Sequence, residues 1–251
     1  MSNANDDLNE LIAKSRRVVA FTGAGISTEC GIPDFRSPGG FWSKNKPVQF
    51  DDFVRDPNIR REGWKRFLAL RDQYLDVEPG RGHMALANLQ SRGKLISVIT
   101  QNIDNLHQRS GIPAEEIIEL HGNGTYAKCI ECGHRHELDW CARKLEETKE
   151  CPLCQACGGF VKSATISFGQ AMPRVEMARA EEIASECDLI LAIGSSLVVY
   201  PAAGIPVLAR RAGAELVIIN REPTELDQIA SLVINEDIGD VLTPYLEEAG
   251  A

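Results

Sequence analysis

The strongest constraint on the fold is a rhythm. Short, wholly apolar runs recur between longer stretches whose apolar residues are spaced three and four apart. The runs are "RVVAFTG", "LISVITQN", "EIIEL", "CDLILAIGSS", "ELVIIN" and "SLVIN". Runs of this length read as strands buried on both faces, which is the signature of a parallel sheet covered by helices on either side. Between two of them lies "YPAAGIPVLARRAG", spaced as a crossover helix that closes on Gly213. Two segments break the rhythm. Residues 41–82 carry Phe41, Trp42, Phe50, Phe53, Trp64, Phe67, Leu68 and Tyr74 at helical spacing, with no strand candidate, and residues 126–160 carry most of the cysteines. The expected organisation is a discontinuous sheet domain of residues 1–40, 83–125 and 161–251, with 41–82 and 126–160 forming a smaller domain.

The first strand runs into "GAGIS", where a tight turn brings backbone amides toward a bound pyrophosphate. Gly23 and Gly25 remove the Cβ atoms that would obstruct such an approach. A dinucleotide fingerprint would continue with a third glycine, but Thr28 occupies that place, and no acidic residue follows about 20 positions on to hold a ribose. A dehydrogenase is therefore disfavoured. Gly31 and Pro33 stop any long helix, which puts Asp34, Phe35 and Arg36 on a loop beside the nucleotide. There Arg36 could reach a phosphate, Asp34 could orient Arg36, and Phe35 could shield a reactive carbon from water. A second polar cluster, Gln101-Asn102-Ile103-Asp104, ends the second strand, and "ELHGN" and "AIGSSL" end two more, at the edge where sheets of this type place ligands.

The net charge of −9 argues against a protein that holds nucleic acid by phosphate neutralisation. No apolar run of about 18 residues appears, and "MSNANDDLNELIAKSRR" lacks the basic-then-apolar pattern of an export signal. The expectation is a cytoplasmic protein with no membrane or direct nucleic-acid partner. In that setting clustered CxxC pairs point to a metal rather than to disulfides. Three pairs are available: Cys129 with Cys132, Cys151 with Cys154, and Cys154 with Cys157. Spacing alone favours the second pair as the partner of the first.

"GAGIS", "GIPDFRS", "TQNID", "LHG", the paired CxxC, "ISFGQAMP", "GSSLVVYP" and "IIN" fall in the order of the sirtuins, the NAD-dependent protein lysine deacylases, and the chain resembles them over nearly its whole length. The resemblance implies a Rossmann-like domain plus a small domain made of a zinc-ribbon module and a helical module. It implies NAD as co-substrate and acetyl-lysine proteins or peptides as partners, entering a cleft from opposite sides. Gly23, Ala24, Gly25, Ser27, Asp34, Phe35 and Arg36 would hold the pyrophosphate and its ribose. Gln101, Asn102, Ile103 and Asp104 would surround the nicotinamide, with Asp104 accepting from the carboxamide and Asn102 counted among the catalytic groups. Gly194, Ser195 and Ser196 would line the adenosine half, Asn220, Arg221 and Glu222 its ribose, and Ile238 the adenine.

In this family the acyl oxygen displaces nicotinamide from the ribose, and a neutral histidine then activates a ribose hydroxyl, a role suited to imidazole near pH 7. That histidine corresponds to His121. His83, His107, His134 and His136 lie outside the motif. The peptide would add as a strand between loops containing Phe168 and Gly169 on one side and Val198 and Val199 on the other. Phe67 and Leu70 stand where family members that take acidic acyl groups carry a Tyr and an Arg, so a deacetylase is expected rather than a desuccinylase. The resemblance also favours Cys129, Cys132, Cys154 and Cys157 as ligands of one structural Zn²⁺, leaving Cys151 out. The alternatives are an ADP-ribosyltransferase using the same NAD site and a non-enzymatic zinc ribbon that binds nucleic acid.

Overall fold

The computed structural model describes residues 4–34, 40, 46–72 and 76–246. All six apolar runs form strands, β1 Val18–Thr22, β2 Leu95–Thr100, β3 Ile117–Glu119, β7 Leu189–Ile193, β8 Glu215–Ile219 and β9 Leu232–Ile234. They pair in parallel in the order β3-β2-β1-β7-β8-β9. Successive β1 side chains alternate between two cores. Val18 and Ala20 pack with Leu8, Ile12, Leu86, Leu89 and Val241 on one face, while Val19 and Phe21 pack with Ala180, Ala184, Ile205 and Ala209 on the other. Burying both faces explains why these strands read as continuous apolar runs. Each fully buried Leu, Ile, Val or Phe contributes about 1.5–3 kcal/mol. The helix Gly204–Ala212 closes on Gly213, whose φ of 106° is the left-handed cap expected from the sequence.

A second, antiparallel sheet contains β4 Gly122–Cys129, β5 Arg135–Glu137 and β6 Val161–Thr165, in the order β5-β4-β6. Its strands take in residues 122–125 and 161–165, which the sequence pattern groups with the larger sheet. Helices Phe50–Arg55, Pro57–Asp72 and Leu138–Thr148 cover it, and Phe53, Trp64, Ala127, Leu138, Cys141, Leu145 and Val161 make its core. Among the described residues of 46–82 the named elements are all helices, with one isolated bridge from Gln49 to Phe168. The indole Nε1–H of Trp64 donates to the Val161 carbonyl at 3.1 Å. The guanidinium of Arg60 donates to the carbonyls of Phe53 and Val54 and lies 3.7 Å from the centre of the Phe160 ring. The contacts to Phe160 and Val161 tie the helix Pro57–Asp72 to the start of β6.

Pairing of β4 with β6 is irregular. Gly122 faces Thr165 and Ala127 faces Ser163, so five steps along β4 (127 − 122) match two along β6 (165 − 163). None of the helices among the described residues is long and apolar enough to cross a membrane.

The carboxyl ends of β1 and β7 touch through backbone. A Cβ added at Gly25 would lie 2.6 Å from the Cα of Gly194. Replacing Gly25 by alanine should therefore cost about 1–3 kcal/mol in urea unfolding. Gly204 opens a helix, and a Cβ added there would have nothing within 4 Å. This position should tolerate alanine with no loss and a gain of up to about 1 kcal/mol.

Candidate active site

The sheet order reverses between β1 and β7, and the crevice outside their carboxyl ends is where a ligand can enter an open parallel sheet. Beyond β1 the chain makes a 3₁₀ helix, Ala24–Cys30, that ends at Gly31 with φ of 90°. The amides of Gly23 and Gly25 donate to the carbonyls of Ile193 and Gly194 at 3.0 and 2.8 Å. Those two amides are thus spent within the protein. What the glycine pair supplies is the close approach of two strand ends, with a Cβ at Gly23 falling 2.6 Å from the Gly194 carbonyl oxygen.

A cavity of about 270 Å³ opens over this contact. It brings together Gly23, Ala24, Gly25, Asp34, Gln101, Asn102, His121, Gly194, Ser195, Ser196, Asn220, Arg221, Glu222 and Ile238 from seven separate stretches of the sequence. Phe35 and Arg36 lie outside the described residues. Ser27, Ile103 and Asp104 do not line it. Ser27 is buried beneath it, its hydroxyl donating to Asp104 Oδ2 at 2.7 Å. The other Asp104 oxygen accepts from the Leu106 amide at 3.0 Å. Both Asp104 oxygens, expected to face a carboxamide, therefore already have donors in the protein. Asn102 Nδ2 donates to the Gly23 carbonyl at 3.1 Å and to Ser27 Oγ at 3.3 Å, which pins the glycine turn to the end of β2.

Two further histidines belong to this buried layer. His107 Nε2 lies 2.9 Å from the hydroxyl of Thr22, which donates to Thr100, and the His83 ring stands 4.9 Å from that of His107. Burial holds both below the ordinary histidine range, His107 well below it, so they are neutral hydrogen-bonding groups.

A second cavity, of about 380 Å³, lies on the other side of His121. Its walls include Val48, Phe53, Trp64, Phe67, Leu70, Ile103, Ile166, Phe168, Gly169, Val199 and Lys162. Lys162 had no signal in the sequence, since a lysine on a short polar strand reads as solvated. Phe168 and Val198 are 41% and 45% exposed, large apolar groups left at the surface. Val198 is outside the lining of either cavity, whereas Val199 lines both. The Phe168 carbonyl accepts from the Phe50 amide at 2.9 Å, which ties the "ISFGQ" loop to the helical segment. Leu197, buried with φ of 56°, holds the opposite loop in a conformation that few non-glycine residues adopt.

Gln101, His121 and Val199 form the wall shared by the two cavities. His121 Nδ1 is 3.1 Å from the Gln101 carbonyl. A carbonyl can only accept, so in the neutral ring the proton sits on Nδ1 and the lone pair on Nε2. The Gln101 side chain donates in turn to Ser195 Oγ at 2.9 Å.

Far from this wall, the sulfurs of Cys129, Cys132, Cys154 and Cys157 lie within 4.8 Å of one another. The closest pairs are Cys129 with Cys157 at 3.5 Å and Cys132 with Cys154 at 3.6 Å. Amides of Glu131 and Cys132 point at Cys129 Sγ, those of Ala156 and Gly159 at Cys154 and Cys157. Two matching knuckles of this kind, offering four thiolates, fit a tetrahedral Zn²⁺ with no open position, hence a structural one. Cys151 is outside the cluster and packs with the small core. His136 Nε2 lies 3.4 Å from Cys154 Sγ, beside the cluster rather than in it, with its ring stacked on Trp140.

The description of the Sir2 family matches residues 23–201. The chain is 56% identical over 246 residues to an NAD-dependent protein deacetylase of Rhodopseudomonas palustris, covering 98% of this chain and 97% of that one. It is 57% identical over 239 residues to NAD-dependent protein deacetylase 1 of Bradyrhizobium diazoefficiens, covering 95% and 94%. A solved structure of Sir2 with a p53 peptide and NAD+ superimposes with a TM-score of 0.85 at 36% identity, covering 95% of each chain.

Cys151→Ala should retain zinc at the wild-type ratio by metal analysis, and Cys154→Ala should lose it; loss in the first variant would put Cys151 in the ligand set. The buried histidines give a pH signature. Their folded pKa values are depressed, so below an unfolded value of about 6.5 the unfolded chain takes up protons that the folded chain refuses. Stability should be fully present above about pH 7 and fall between about pH 6.5 and 5, by up to about 1.4 kcal/mol per pH unit for each histidine. His107→Gln should flatten that slope in urea titrations.

Proposed function

The chain belongs to the Sir2 family, and from that premise we propose that it is an NAD-dependent protein lysine deacetylase, which moves the acetyl group of acetyl-lysine to ADP-ribose and releases nicotinamide. One observation carries this reading. His121 stands in the wall between a cavity built on the glycine turn and a cavity bordered by apolar groups and exposed strand-like loops. A group that must act where two substrates meet belongs at such a junction.

NAD supplies a ribose carbon whose bond to nicotinamide can be broken by the acyl oxygen. The chain's residues do the rest. Ala24, Gly25, Asp34 and Gly194 to Ser196 border the cofactor side, with Asn220, Arg221, Glu222 and Ile238 at the adenosine end. Phe35 and Arg36 complete the set proposed from the sequence. His121 takes a proton from a ribose hydroxyl at Nε2, because its Nδ1 proton is committed to the Gln101 carbonyl. Asn102, which lines the cofactor-side cavity, is kept among the catalytic groups, and the Ser27–Asp104 pair holds the turn from below. Phe168, Gly169, Val198 and Val199 take the peptide backbone, and main-chain pairing there reads shape more than sequence.

We assign cofactor binding to residues 1–40, 83–125 and 161–251, and the smaller domain to 41–82 and 126–160; the separate core around Trp64 supports the division, with β4 and β6 carrying the smaller unit a few residues into 122–125 and 161–165. We place the reaction in the cytoplasm, where thiolates persist for a metal site.

The test is nicotinamide release from NAD with an acetyl-lysine peptide, with the products weighed. O-acetyl-ADP-ribose is expected, and His121→Ala should lower turnover about 100- to 10,000-fold. Turnover that survives the substitution would remove His121 from the chemistry. ADP-ribose attached to protein in place of the acetylated product would indicate transferase activity instead.

A further inference from the structure

His121 sits on a bend, where the chain leaves β3 of the large sheet and enters β4 of the small one. The backbone is held on both sides of it. The Leu120 amide donates to the Thr100 carbonyl at 2.9 Å, and the His121 carbonyl accepts from the Ile166 amide at 2.8 Å. Across the bend, two residues before the imidazole and two after it, side chains meet. Asn123 Nδ2 donates to Glu119 Oε1 at 2.6 Å, which closes the chain between them into a small loop with His121 at its midpoint.

The same two side chains reach the segment that follows β2. Gln108 Nε2 donates to the same oxygen of Glu119 at 2.7 Å, and Asn123 Nδ2 donates also to Asn105 Oδ1 at 3.1 Å. Asn105 directly follows Gln101–Asp104 and takes a φ of 65°, which asparagine tolerates better than most residues. Asn123 is 4% exposed, and its Oδ1 accepts from the amide and hydroxyl of Thr125. The imidazole depends on both segments, since the bend carries His121 and the segment after β2 supplies the Gln101 carbonyl that orients its ring. Glu119 and Asn123 cross-link the two. Burial pushes the Glu119 carboxyl above its ordinary range in spite of its amide donors. What those donors need is an accepting oxygen rather than a charge.

We propose that Glu119 and Asn123 are positioning residues for His121, a clamp that fixes the imidazole against the Gln101 carbonyl so that Nε2 meets the ribose hydroxyl. The inference rests on the deacetylase reading above. Neither side chain lines either cavity, so the pair acts through His121 and not on NAD or acetyl-lysine. The clamp therefore matters to one half of the reaction. In the first step the acyl oxygen bonds to the ribose carbon and nicotinamide leaves with the bonding pair; no proton is transferred, and His121 is not needed. In the second, Nε2 takes the hydroxyl proton while the freed oxygen pair bonds to the acyl carbon. Misplacing a group by about 1 Å costs such a step up to roughly a hundredfold.

The two steps can be read separately. Exchange of labelled nicotinamide into NAD in the presence of an acetyl-lysine peptide reports the first alone, and formation of O-acetyl-ADP-ribose reports both. Glu119→Ala should lower product formation about tenfold to a hundredfold while exchange stays within about twofold of wild type. Glu119→Gln keeps an accepting oxygen and should retain most of the product formation. Asn123→Ser, too short to reach Glu119, should split the two steps as Glu119→Ala does, and it decides the matter if Glu119→Ala fails a melting check. Wild-type product formation in a folded Glu119→Ala or Asn123→Ser overturns the clamp. So does a parallel loss of exchange and product, the mark of a general loosening, or a Glu119→Gln as impaired as Glu119→Ala. If the wild type neither exchanges nicotinamide nor forms product, the deacetylase reading falls and the clamp falls with it.

Discussion

The backbone contact between Gly25 and Gly194 is the constraint from which the site follows. Two parallel strands diverge at the switch point, and their ends are held together by amide-to-carbonyl bonds from Gly23 and Gly25 to Ile193 and Gly194. Side chains at these positions would separate the ends by more than the bonds allow. Once the contact is made, the 3₁₀ turn, the end of β2 and the loop after β7 have fixed relations to one another. Asn102 reaches the Gly23 carbonyl and Gln101 reaches Ser195 because those strand ends are fixed. His121 is then placed by Gln101.

Beneath this contact lies a layer of polar groups rather than a dry core. Thr22, Thr100, Ser27, His83, His107 and Asn102 are all buried, and hydrogen bonds link them into short chains. Such a layer is favourable only while nearly every member is satisfied. It holds the floor of the cleft more rigidly than interchangeable aliphatic groups would, because hydrogen bonds fix direction as well as distance. The depressed pKa values of the two histidines follow from the same burial.

How much of this was legible depended on whether a residue's role is local. The parallel sheet was readable because strands buried on both faces must be apolar throughout, as in "VVAFT" and "LILAI". The small sheet was not, because "GNGTYAKC" and "VKSAT" mix polar and apolar residues on half-buried strands. The four clustered cysteines were distinguishable from Cys151 by resemblance, while their spacing pointed elsewhere. Many of the motif residues expected at a site from the sequence, such as Gly25, Gln101, His121 and Ser195, do border a cavity, because motifs at strand ends are local, whereas Glu29, Lys162 and Asp237 border one with no such motif. Ser27 and Asp104 are expected at the ligand; in the fold they bond to each other and neither lines the cofactor-side cavity. Lys162 went unnoticed because its burial is set by Trp64 and the helices packed over β6, which no local pattern contains.

β4 begins one residue after His121 and ends at Cys129, so a single strand joins His121 to the four-cysteine cluster. Gly122 faces Thr165 and Cys129 faces Val161, four steps of β6 apart (165 − 161), about 13 Å along the sheet at about 3.3 Å per residue. A rigid strand would transmit any disturbance of the cysteines along its length. This one is bulged in the middle: between Gly122 and Ala127 five steps along it answer to two on β6. The His121 end is anchored separately, through the Ile166 amide on its carbonyl at 2.8 Å and the tight passage of Gly122 over Ala164. The bulge therefore breaks the register of β4 on β6, so that the Cys129 end and the His121 end are paired to β6 separately.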